Sequence, residues 1–150
     1  IALSLVGSEM CIRDSSGADL PLEQHDVQIQ GHAIQARINA ENPFTLEPSP
    51  GKIWECHWPG GPGIRVDTHG FSGYEMPEAF DSLLAKIISW APDRERAIAR
   101  LDSALEETIL LGVDSLIPLH RAILIDEDFT QRNITTDYLE THADLLIGGD

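Results

Sequence analysis

Residues 59–69 read PGGPGIRVDTH, and the rest of the chain is read outward from this stretch. Three glycines and two prolines within five residues set a tight turn with a restricted backbone. The residues that follow alternate: Ile64 and Val66 point to one side, Arg65, Asp67 and His69 to the other. That pattern predicts a strand. A rigid turn feeding a strand holds the first polar side chain, Arg65, in a defined place. Taken alone, the stretch is a β-hairpin with an arginine facing solvent.

On either side of it the pattern stays extended. Residues 27–40, VQIQGHAIQARINA, alternate for most of their length and predict one or two strands, with Gly31 as a break or bulge. The segment ENPFTLEPSPG carries three prolines, which exclude a helix or a central strand. Residues 52–58, KIWECHW, predict a short strand that pairs with IRVDTH across the turn. GFSGYEMPEAF reads as a loop. Residues 81–90 are ambiguous, because Leu83, Leu84, Ile87 and Ile88 fit a helical face while the β-branched content fits a buried strand. The flanking turn signals favour the strand.

Helices are expected afterwards. Residues 93–111 form the clearest one, with Asp93 as N-cap, Ile98, Leu101, Leu105 and Ile109 as its apolar stripe, and Gly112 as a left-handed C-terminal cap. A second is predicted over 116–125, opened by Pro118. A turn or short helical piece follows at 126–129 and a last helical turn at 135–140. Strands first and helices later define an α+β class: antiparallel hairpins or sheet followed by two to three helices.

The chain has 150 residues, enough for one domain with a sizeable core. Its 25 acidic and 10 basic residues give a net charge of −15. That balance argues against nucleic acid or an anionic membrane as partner, since both need a basic surface. Two cysteines and scattered histidines give neither a disulfide framework nor metal-ligand spacing, so no metal site is expected. There is no GxSxG elbow, P-loop or dinucleotide fingerprint. The PGGPG turn is too rich in proline to offer a nest of N–H groups to a phosphate.

Six segments, in order, carry a resemblance: GHAIQARINAENP, PSPGKI, PGGPGIRVDTH, FDSLLAKIISW, DRERAIARL and ITTDYLE. Together they resemble the C-terminal domain of biotin carboxylase, the ATP-grasp component of biotin-dependent carboxylases. The likeness spans about residues 17–140, and the domain is placed at 16–141. Residues 1–15 stand apart. LSLVGSEMCIRDS resembles translated sequencing-adapter read-through, so 1–15 are expected to be a non-native or disordered leader, and 142–150 a frayed tail.

The resemblance implies a parent enzyme in the cytoplasm that carboxylates carrier-bound biotin with ATP and bicarbonate. That parent would be a separate subunit or the front module of an acyl-CoA carboxylase. Arg65 matches the arginine that faces the biotin ureido oxygen and stabilises the enolate formed when N1′ loses its proton. A fixed guanidinium suits that task, because it stays protonated and carries a fork of donors. The family's ATP and Mg²⁺ residues precede this domain, and none is matched here. Implied partners are a biotin carboxyl carrier domain, a second copy of the parent in a homodimer, and a carboxyltransferase subunit.

Other polar residues carry less. Arg37, Asn39 and Glu41 read as contacts of a sheet edge. Asp81 and Lys86 could brace Arg65 or pair with each other. Trp90 and Arg94 fall where the family's subunit contact lies, and His69 and Tyr74 read as ordinary strand and loop residues. Two other classes stay open beside this resemblance. One is a non-catalytic module that docks a biotinyl carrier or partner subunit. The other is the C-terminal domain of a different ATP-grasp ligase, to which the series from GHAIQARINAE to PGGPGIR does not match.

Overall fold

The computed structural model of the protein describes residues 15–17 and 23–142. The chain falls into two units, residues 1–30 and 31–150. The described part of the first unit holds one 3₁₀ turn, Gln24–Asp26, whose Asp26 carboxylate accepts from the Glu23 N–H at 2.9 Å. The expected leader falls, apart from Ser15, outside the described residues. So does the expected tail, apart from His142. His142 itself is tied down: its N–H donates to the Tyr138 carbonyl, and its ring lies 3.0 Å from Asp128.

The second unit is built on a three-stranded antiparallel sheet. Its strands are β1 (His32–Asn39), β6 (Leu83–Ala91) and β4 (Ile64–Thr68), in the order β1-β6-β4. The ambiguous segment is therefore a strand, and the central one. Its alternate residues Ala85, Ile87, Ser89 and Ala91 are buried. Helix α1 (Arg94–Glu107) lies on that face with Ala97, Leu101, Ala104 and Leu105 inward. Ala36, Ile38, Ala85, Ile87, Leu101, Ala104, Leu105 and Leu124 form one core cluster. Ser89 is the one buried polar side chain among the described residues, and its Oγ donates to the Ala97 carbonyl at 2.8 Å. Helix α1 starts where expected: the Asp93 carboxylate accepts from the Arg96 N–H.

Two expectations fail, and for one reason. KIWECHW is not a single strand and does not pair with IRVDTH. It divides into β2 (Gly51–Lys52), which pairs with β5 (Glu75–Met76), and β3 (Glu55–His57), which pairs with β7 (Ile109–Leu111). The predicted helix over 93–111 correspondingly stops at Glu107, and its last residues become β7, a strand that follows a helix. Leu110 packs against the main core cluster and also against a second one of Ala40, Ile53, Met76 and Leu84. An extended backbone there also satisfies Trp54, whose N–H donates to the Leu111 carbonyl. Gly112 is not a helix cap. At φ +107 it lies so close to β2 that a Cβ would sit 2.1 Å from the Lys52 carbonyl oxygen. The PGGPG turn thus carries the chain from one sheet to another, with Ile64 and Val66 packed on the main cluster.

Three short helices follow: α2 (Ile117–Ile125), α3 (Glu127–Gln131) and α4 (Tyr138–Thr141). Pro118 lies at the start of α2 as expected. Among the described residues no helix is long and apolar enough to cross a membrane.

Ile87 is fully buried on the central strand. Ile87→Ala should cost about 2–5 kcal/mol of stability, read as a lower urea midpoint. Half-buried His120 ties α2 to β1, its Nε2–H donating to the Arg37 carbonyl at 2.8 Å. Burial pushes its pKa down, partly opposed by that hydrogen bond. As pH falls, the unfolded imidazole, with an ordinary pKa of about 6.5, takes up its proton first. Its contribution is therefore full above that value and is lost as pH drops toward the lower folded-state pKa. Urea midpoints measured at about pH 7.5 and about pH 5 should fall less with acid in His120→Gln than in the wild type.

Candidate active site

The glycine-rich turn is held from two sides. The Ile64 N–H donates to the Gly61 carbonyl at 3.1 Å, and the Trp90 N–H donates to the Gly63 carbonyl at 2.7 Å. Arg100, reaching up from α1, donates to the Trp90 carbonyl. Gly63 has φ +78, and a Cβ there would lie 2.1 Å from Arg100 Nη1 and 2.6 Å from the Trp90 oxygen. The position therefore needs glycine for its backbone angle and for its surroundings.

Arg65 follows two residues later on the outer face of β4. Its Nε–H donates to Asp67 Oδ1 at 2.9 Å. The two side chains are 61% and 46% exposed. The Arg65 hydrogen bond holds the Asp67 carboxyl below the usual carboxylate range, and the charges of Arg65 and Lys86 add to the effect. Strand register extends the group sideways. Asp67 is opposite Lys86, which is opposite Arg37; Arg65 is opposite Ile88, which is opposite Gln35. The outer face thus carries Arg37, Lys86 and Asp67 in one row and Arg65 in the next, in a chain of net charge −15.

The remaining candidates divide clearly. Asn39, Glu41 and Ser82 bond to one another: Asn39 Nδ2 donates to Glu41 at 2.9 Å and to Ser82 at 3.1 Å, and Ser82 donates to Glu41. They join the end of β1 to the entry of β6, as sheet-edge contacts. Asp81 accepts from the Leu83 N–H at 2.8 Å, while Lys86 faces Asp67, so the two suggested partners serve different places. Trp90 is 46% exposed on the outer face. Arg94 packs within the unit, donating to the Phe129 carbonyl at 2.6 Å with its guanidinium 4.8 Å from the Phe129 ring centre. His69 and Tyr74 meet edge to face at 5.2 Å.

One group of possible metal ligands comes together among the described residues: Asp126, Asp128 and His142. Asp126 accepts from the Tyr138 hydroxyl at 2.7 Å and from the Phe129 N–H, and the His142 ring bonds to the Tyr138 carbonyl and to Asp128. Sequence spacing does not reveal it, because the three residues approach only through the fold of α3 and α4. Asp67 is not among the residues that the sequence singles out, although the alternation in IRVDTH already puts it two residues from Arg65 on the same face. Arg100 carries no such signal, because only the packing of α1 brings it under the turn.

The candidate site is thus an arginine mounted just beyond a glycine-rich turn, on the open face of a three-stranded sheet backed by one long helix. A sequence model of the biotin carboxylase C-terminal domain matches residues 35–141, and the chain belongs to that family. It is 48% identical over 126 residues to biotin carboxylase of Allochromatium vinosum, covering 84% of this chain and 28% of that protein. It is 45% identical over 129 residues to biotin carboxylase of Haemophilus influenzae, covering 86% and 29%. The biotin carboxylase domain of Hydrogenobacter thermophilus 2-oxoglutarate carboxylase superposes with a TM-score of 0.90 at 41% identity, over 95% of this chain and 32% of that one. The chain thus spans well under half the length of the relatives it matches.

Gly63→Ala should lower stability by more than about 1 kcal/mol, because it meets both strain and a close approach. Gly60, where a Cβ would meet nothing within 4 Å, gives the contrast. Gly60→Ala should change the thermal midpoint little.

Proposed function

We propose that this domain serves a biotin carboxylase by presenting Arg65 to the ureido oxygen of biotin carried on a separate carrier domain. The observation that carries the reading is the placement of Arg65. Its guanidinium leaves the outer face of a paired strand, two residues beyond a turn held from both sides, and is gripped at Nε by Asp67. When N1′ of the ureido ring loses its proton, negative charge gathers on the ureido oxygen. A guanidinium already in place lowers the cost of that charge without a reorganisation step. Arginine keeps its proton throughout.

The surrounding cations support the same reading. Lys86 and Arg37 lie in the adjacent row and make this face suited to an anionic or charge-developing group. Biotin would meet the enzyme here, while ATP and Mg²⁺ would be held by the portion of a full-length enzyme that precedes this domain in the family pattern. The Hydrogenobacter domain, for comparison, is a dimer in complex with MgADP and bicarbonate. The working enzyme would accordingly be a cytoplasmic homodimer that passes carboxylated biotin to a carboxyltransferase subunit.

In a full-length biotin carboxylase carrying this domain, Arg65→Ala should reduce biotin carboxylation by about 10²-fold or more. ATP affinity, measured by calorimetry, should stay close to the wild-type value. Unchanged carboxylation in that variant would reduce Arg65 to a surface residue. The 150-residue chain purified alone should show no bicarbonate-dependent ATP hydrolysis, and turnover there would place a nucleotide site within this sequence.

A further inference from the structure

We propose that Asp67 is a positioning residue for Arg65, setting the direction of the guanidinium before substrate arrives; this rests on the reading of Arg65 given above. Alternation along β4 puts the two side chains on one face, two residues apart. An arginine at such a site has several rotatable bonds and reaches far beyond the sheet. Here it bends back along its own strand so that Nε–H meets Asp67 Oδ1 at 2.9 Å. The grip is on Nε, the donor nearest the chain. Fixing that edge fixes the plane of the guanidinium, since the group is rigid and planar.

The contact is too exposed to be explained as a source of stability. Pairs of this kind contribute little to folding. Direction is what the contact changes. Ordering a long, flexible side chain in advance removes an entropic cost from the binding or reaction step. The arrangement also has an opposing effect, because a carboxylate beside the guanidinium competes for its charge. Lys86, in register with Asp67 on β6, counters that with its own positive charge on the same face. Arg37 stands beyond Lys86 in the same row. The row supplies a carboxylate that stays ionised next to Arg65 without leaving the face anionic.

The test combines a direct readout with a double-mutant cycle. In this chain, the Nε–Hε resonance of Arg65 should exchange slowly with water in the wild type and rapidly in Asp67→Ala. Asp67→Asn, of nearly the same shape, guards against a folding defect, and unchanged thermal midpoints in both variants exclude one. In a full-length enzyme carrying this domain, Asp67→Ala should reduce carboxylation about 5- to 20-fold, with Asp67→Glu recovering part of the loss. Combined with Arg65→Ala, it should cost nothing more, because a residue acting through Arg65 has nothing left to position. Losses that multiply in the double variant, or full activity in Asp67→Ala, would overturn the proposal. Full activity in Arg65→Ala would instead overturn the reading of Arg65 on which it rests. Slow exchange at Nε that survives Asp67→Ala would show that another group holds the guanidinium, and would overturn the proposal as well.

Discussion

The constraint on which the structure depends is the double role of strand β6. It hydrogen-bonds to β1 on one side and to β4 on the other, and its inner face is covered by α1. A strand so placed has no edge and one dry face. Its buried residues are small or branched, Ala85, Ile87, Ser89 and Ala91, which lets the helix approach closely. The helix answers with Ala97 and Ala104 beside Leu101 and Leu105. Even the one polar residue on this face, Ser89, is satisfied by the helix backbone.

Because the inner face of β6 is taken, its charged side chain, Lys86, lies on the outer one. The same registers that bury Ile87 between Ala36 and Val66 line up Lys86 between Arg37 and Asp67. Core and candidate site are therefore two faces of one pairing scheme. A one-residue slip of β4 would send Arg65 inward and Val66 outward. The turn of residues 59–63 guards that register, since Gly63 bonds to Trp90 of β6 and is crowded by Arg100 of α1.

The open face of the sheet carries Arg65 bonded to Asp67, with Lys86 and Arg37 in the neighbouring row, in a family whose matched members are much longer than this chain. The matched segment makes up 28% and 29% of the Allochromatium and Haemophilus proteins. A rigid sheet suits the role proposed for Arg65, because a group that stabilises charge at one atom benefits from a scaffold that does not move.

Much of this was legible in the sequence. The alternation in IRVDTH put Arg65 and Asp67 on one face, the Asp93 cap opened the long helix, and the ordered segments from GHAIQARINAENP to ITTDYLE pointed to the family. Local chemistry determines such features, because turn residues, caps and period-two patterns act within a few positions. Pairing partners were decided only by the tertiary structure. KIWECHW reads locally as the mate of IRVDTH, yet β3 pairs with β7 and β4 with β6, because burying Leu110 and Val66 in the assembled core outweighs the proximity of neighbours in sequence. The same holds for residues 109–111, which continue a helical stripe but become a strand where β3 needs a partner. The sequence by itself determined which residue the turn presents; the long-range packing of β6 and α1 decided what holds it there.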